Sequence, residues 1–120
     1  MSLLLVMAGG AIGAGGRFLV GRALPSASYP HATLLVNLAG GLLMGLLAGA
    51  LLRGVGGESL RLFAGVGVLG GFTTFSAFSL EIVEMAARGA VAAATGYALL
   101  SVLGSMAALA LGFQLAKVWP

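Results

Sequence analysis

The sequence predicts an all-α integral membrane protein of four transmembrane helices, the third interrupted near residues 70–74. Three observations predict it. Hydrophobic residues fill 60% of 120 positions, and the mean hydropathy is +1.13. A soluble domain of this size has too little interior to hide so much apolar surface. Six basic and three acidic residues are the whole charge complement. The apolar residues also fall into four runs, each long enough for the ~20-residue crossing of a bilayer core. Strand-length alternation is absent, and a spanning helix satisfies its own backbone.

Four spans nearly use up the chain, which leaves one membrane domain, 1–120, and no soluble catalytic or nucleotide-binding module. Cysteine is absent, which excludes a disulfide framework and thiol chemistry. The net charge of +3 is small and scattered, unlike a nucleic-acid surface.

The first run, 3–24, opens without the basic stretch of a secretory leader, so it is expected to begin a span. Gly9 and Gly13 give it a small-xxx-small face for close helix contact. Arg17 follows Gly13-Ala14-Gly15-Gly16 deep in the run. A buried arginine marks an ion path or a pair, whereas one near a helix end snorkels to the interface; both readings stay open. The run ends at Pro25-Ser26-Ala27-Ser28-Tyr29-Pro30. His31 follows alone, and metal binding is not expected there.

The second run, 32–52, carries Gly41, Gly45 and Gly49 on one face, a second contact stripe. Asn37 lies about six residues in. Its amide can present N–H to an anion or lock two helices together. The run stops at Arg53-Gly54-Val55-Gly56-Gly57-Glu58.

The third run, 60–87, is longer than a crossing needs and holds the most unusual stretch, Gly70-Gly71-Phe72-Thr73-Thr74-Phe75-Ser76-Ala77-Phe78-Ser79-Leu80-Glu81. Lipid rewards no such mixture, because an unpaired polar group in hydrocarbon costs roughly 2–7 kcal/mol. Thr73-Thr74 after Gly70-Gly71 suggests unwinding, which frees carbonyls that across a two-fold axis could cage a small cation. Phe75 and Phe78 share a helical face, and Ser76 and Ser79 share the next. Ring edges carry the positive part of the aromatic quadrupole and so favour an anion. Glu81 has three open roles: accepting protons, pairing with Arg17, or lying at the interface. Gly65-Val66-Gly67-Val68-Leu69-Gly70 matches a dinucleotide fingerprint, but without a βαβ unit the match is chance.

The fourth run, 89–118, places Tyr97, Ser101 and Ser105 at i, i+4 and i+8, a polar stripe on one face. Serines so spaced commonly bond back to their own helix. Across all four runs the basic residues balance. Arg53, Arg61 and Lys117 fall on one side, and Arg22 and Arg88, with Arg17 if it reaches, fall on the other. The positive-inside rule then gives almost no orientation, and an antiparallel dual-topology homodimer is expected.

Three blocks resemble the Fluc/CrcB-type fluoride channel family. They are Gly9-Gly10-Ala11-Ile12-Gly13-Ala14 with Arg17-Phe18, Thr33-Leu34-Leu35-Val36-Asn37-Leu38-Ala39-Gly40, and Gly70-Gly71-Phe72-Thr73-Thr74-Phe75-Ser76-Ala77-Phe78. The likeness spans essentially the whole chain, and the third block is its most specific part. Ala77 departs from a threonine common in the family. The resemblance implies a homodimer in the bacterial plasma membrane, with two fluoride pores and a structural sodium ion at its centre. By that resemblance Phe75 and Phe78 line each pore and Asn37 reaches the anion. Thr74 and Ser76 supply hydroxyls near the rings, and Tyr97, Ser101 and Ser105 form a polar track. The carbonyls of Gly70 and Thr73 would hold the sodium. Arg17 and Glu81 match family positions of less definite role.

The expected function is therefore passive export of cytoplasmic fluoride, with lipid and a second copy of the chain as partners. No enzymatic step, nucleotide or nucleic acid is called for. Two other readings compete. A proton-coupled exporter of small cations, resembling the small multidrug resistance transporters, would have to rely on Glu81 or Glu84. A non-transporting assembly subunit accounts for the glycine faces but leaves Asn37, the phenylalanines and the serine stripe idle.

Overall fold

The computed structural model describes residues 1–25 and 28–120; Ser26 and Ala27 of the expected 25–30 loop lie outside the described residues. All the regular structure of the described residues is helical. Helix α1 runs Ser2–Ala23 and α2 runs His31–Leu52. Helix α3 covers 58–72: α-helical over Glu58–Leu60, wound wider as a π-helix over Arg61–Leu69, and α-helical again over Gly70–Phe72. Helix α4 runs Ser76–Ala87 and α5 runs Val91–Val118. With α3 and α4 taken together as Glu58–Ala87, four helical runs are long and apolar enough to cross a membrane. At 1.5 Å per residue, 22 residues reach about 33 Å, close to the ~30 Å hydrocarbon core.

Two helix ends close on the same device. After α2, Gly54 (φ +84°) donates to the Leu51 carbonyl and Val55 to that of Ala50; after α4, Gly89 (φ +87°) donates to Ala86 and Ala90 to Met85. These paired bonds satisfy the last carbonyls of a helix and need a left-handed residue that glycine adopts without strain.

The helices pack in two pairs, α1 against α3 and α2 against α5. Both seams are built on glycine. A Cβ on Gly13 would collide with the Val68 carbonyl, and one on Gly45 with the Leu109 carbonyl. Backbone thus meets backbone, the geometry that lets dispersion hold helices together in lipid. The stripes read from the sequence find their partners here: Gly9 and Gly13 meet α3, and Gly41, Gly45 and Gly49 meet α5.

Most large apolar side chains face outward, as a lipid solvent permits. The buried cluster is small and lies where α4 meets α5: Phe78, Met85, Ala94 and Tyr97, with Tyr29 and Leu34 packed beside it. The polar stretch of the third run therefore sits between a glycine seam and an aromatic core.

Candidate functional site

Asn37 organises the junction between α3 and α4. Its Oδ1 accepts the Thr74 N–H at 2.9 Å, and its Nδ2 donates to the Thr74 carbonyl at 3.0 Å. One side chain on α2 thus holds both backbone polar groups of one residue. The consequence is local. In a continuous helix the Thr74 N–H would bond the Gly70 carbonyl four residues back. Here that donor goes to Asn37, and Thr73 turns to extended backbone (φ −80°, ψ 155°). Likewise the Ala77 N–H, which would reach the Thr73 carbonyl, donates to Thr74 Oγ1 at 3.2 Å. The usual helical donors of the Gly70 and Thr73 carbonyls are both spent elsewhere.

These groups line an open-sided cavity of about 550 Å³ between α2, α3, α4 and α5, bounded also by Phe75, Phe78, Ser101 and Ser105. Asn37 keeps a second Nδ2 hydrogen beyond the one given to Thr74. The phenylalanines differ sharply in burial. Phe78 is 6% exposed, whereas Phe75 is 76% exposed, with ring centroids 5.6 Å apart. Ser76 Oγ lies 3.4 Å from Thr74 Oγ1, so the two hydroxyls sit together at the start of α4.

The serines of α5 do not follow the common pattern. Thr95 and Ser79 each donate to the carbonyl four residues back. Ser101 Oγ and Ser105 Oγ are buried and have no hydrogen-bond partner in the chain. Unmade bonds at buried hydroxyls cost about 1–3 kcal/mol each, so a polar visitor at the cavity would be favoured.

Tyr97, on the same stripe, turns the other way. It is fully buried, and its hydroxyl donates to Glu81 Oε1 at 2.9 Å. Thr33 Oγ1 donates to Glu81 Oε2, also at 2.9 Å. Rings run without a gap from Phe75 through Phe78 and Tyr97 (5.3 Å) to Tyr29 (5.6 Å). Arg17 does not pair with Glu81; its Nε donates to the Gly71 carbonyl at 3.3 Å. It lines a separate hollow of about 370 Å³ with Arg22, Thr33 and Thr74. Among the described residues the recorded ion pair is Arg61 with Glu58, on the surface.

Comparison with known proteins decides the family. The family described as CrcB-like protein, Camphor Resistance (CrcB), matches residues 4–113. The chain belongs to the CrcB-like family. The fluoride-specific ion channel FluC of Sphingopyxis alaskensis is 50% identical over 123 aligned residues, covering 99% of this chain and 98% of that protein. The FluC of Novosphingobium aromaticivorans is 51% identical, covering 93% of each chain. That of Mesorhizobium japonicum is 47% identical, covering 99% and 98%. With its four apolar runs, this CrcB-like chain is a multi-pass membrane protein.

Its expected site residues divide by place. Asn37, Gly70, Thr73, Thr74, Phe75, Phe78, Ser101 and Ser105 border one cavity, and Ser76 stands at its rim through Thr74. Tyr97 and Glu81 form a hydrogen-bonded layer behind Phe78, and Arg17 bonds the Gly71 carbonyl away from them. Thr33, which holds Glu81, is a contact that sequence reasoning does not single out. Its place in a family-like block was visible, but nothing local to residue 33 points to a carboxylate 48 positions away.

Proposed function

We propose that this chain conducts fluoride passively across the membrane as an antiparallel homodimer, lowering fluoride toxicity in the cytoplasm. One observation carries the reading. A single open face gathers two buried hydroxyls without partners, two carbonyls without their helical donors, and a phenylalanine ring left exposed. Such a face is incomplete in one copy. A second, inverted copy would cover Phe75 and close the cavity into a pore, and the balanced basic residues of the two sides permit that inversion. The relatives named as fluoride-specific channels support the choice of ion.

The chemistry suits a small, strongly hydrated anion. Fluoride sheds water only where donors replace it. Ser101 and Ser105 offer O–H, Asn37 offers its remaining N–H, Thr74 and Ser76 add hydroxyls, and Phe75 and Phe78 offer positive ring edges. Several weak sites let the ion enter and leave, as conduction requires, and a narrow row excludes chloride. No bond is made or broken, and no coupling to an energy source is needed.

The Gly70 and Thr73 carbonyls fit a sodium ion, since a hard cation takes oxygen ligands and unwound helices supply them as backbone carbonyls. Bound there, sodium would contribute a fixed positive charge that cross-links the interrupted helices of two copies. The chain's own part is Asn37 and Thr74 Oγ1 drawing away the donors that would otherwise cap those carbonyls.

Liposomes holding the purified protein, with no proton gradient, are expected to lose fluoride quickly and chloride hardly at all, as read by ion-selective electrodes. No fluoride loss from verified folded dimers would overturn the channel reading; flux only under a proton gradient would favour the exporter. Separately, tags on the two termini should label from both sides of the membrane, and the detergent-solubilised dimer should dissociate faster when sodium is replaced by N-methylglucamine. One-sided labelling would remove the inverted dimer, and a sodium-independent lifetime would remove the bound cation.

A further inference from the structure

Beyond the Glu81 layer lies a third cavity, of about 270 Å³, that the channel reading leaves without a role. Ser28, Tyr29, Glu81, Glu84 and Arg88 line it, so it is far more polar than the membrane-facing surfaces around it. It shares no lining residue with the open-sided cavity. The two are joined through the buried layer: Tyr97 packs against Phe78 on one side and donates to Glu81 on the other. Glu81 therefore lines this cavity and is bonded to the ring row at once. The row of packed rings Phe75, Phe78 and Tyr97 thus leads from the open-sided cavity toward this one.

Charge at this mouth works against an anion. Glu81 and Glu84 present two carboxylates, and Arg88 is the cation among the lining residues. Arg88 stands at the end of α4, where the helix carbonyls add partial negative charge that a cation offsets. Its Nη2 donates to the Ser28 carbonyl, another lining residue, which ties the guanidinium to the wall of this cavity. Glu81 is held by two hydroxyl donors, while Glu84 and Arg88 are exposed.

We propose that Arg88 is the steering residue of the pore mouth, drawing fluoride into this cavity against the field of Glu81 and Glu84. The proposal rests on the channel reading above and adds to it the charge that sets the rate of ion entry. A charge in a cleft acts this way by raising the local concentration of its counter-ion, an effect that falls steeply with ionic strength. The field of an exposed group reaches about 30 Å at 0.01 M salt and about 3 Å at 1 M.

Fluoride efflux from liposomes tests it, using the full chain with inert salt at about 10 mM and about 1 M. Arg88→Gln should slow efflux about tenfold at low salt and approach the wild-type rate at high salt. Arg88→Lys keeps the charge and should recover most of the loss, and Glu84→Gln should speed efflux at low salt only. Unchanged efflux for Arg88→Gln at low salt would overturn the proposal. An equal loss at both salts would also overturn it, since that pattern belongs to the structural bond with Ser28. Wild-type protein that carries no fluoride at all would overturn this proposal and the channel reading together.

Discussion

Asn37→Asp should abolish fluoride efflux while leaving four helices in the membrane. The amide now gives one hydrogen to the Thr74 carbonyl and accepts from the Thr74 N–H. A carboxylate keeps the second bond but loses the first, and it turns a lone pair toward a carbonyl oxygen. It also sets a negative charge beside the cavity an anion must cross. Two like charges about 4 Å apart repel by about 4 kcal/mol at an effective dielectric constant of about 20. A conduction barrier raised by that much slows flux roughly a thousandfold, which removes detectable efflux. Efflux in liposomes reads the loss, and thermal unfolding in detergent reads the weakened clamp. Wild-type efflux in this variant would place Asn37 outside the ion path.

The phenylalanines are expected to part company under the same substitution. Phe75→Ile and Phe78→Ile each remove a ring edge and should each cut fluoride flux about tenfold or more, the effect of ~1.4 kcal/mol on a barrier. Stability should respond to only one of them. Phe78 is buried between Phe75 and Tyr97, so changing its shape should cost about 1–2 kcal/mol in thermal stability. Phe75 is mostly exposed in the single chain and would meet the second copy, so its change should weaken the dimer and leave the fold of each chain nearly unmoved. Normal flux in both variants would remove the ring row from the mechanism.

Several features of the site are legible in the sequence, because they follow from local composition. Hydroxyls, glycines and rings inside an apolar run signal a polar encounter wherever the helices happen to lie. Local grammar failed where identical patterns meet different neighbours. Ser79 and Thr95 bond back to their own helices, yet Ser101 and Ser105, equally free to do so, are left without partners. Asn37 stood between two readings, and its fold contact is the helix-locking one, with one hydrogen to spare. Glu81 had three candidate roles, and its oxygens meet Thr33 and Tyr97 instead of Arg17.

Hydropathy and span length alone determined that this is an all-helical, four-span membrane protein, because lipid offers no partner for an open backbone and the bilayer sets the length of every run. Only the tertiary structure decided which helices pair, which hydroxyls go unsatisfied, and where the carboxylate of Glu81 finds its donors. The reason is that those outcomes depend on how closely backbones approach across the glycine seams. Packing of that kind brings groups far apart in sequence together, as where the Thr33 and Tyr97 hydroxyls each lie 2.9 Å from a Glu81 oxygen.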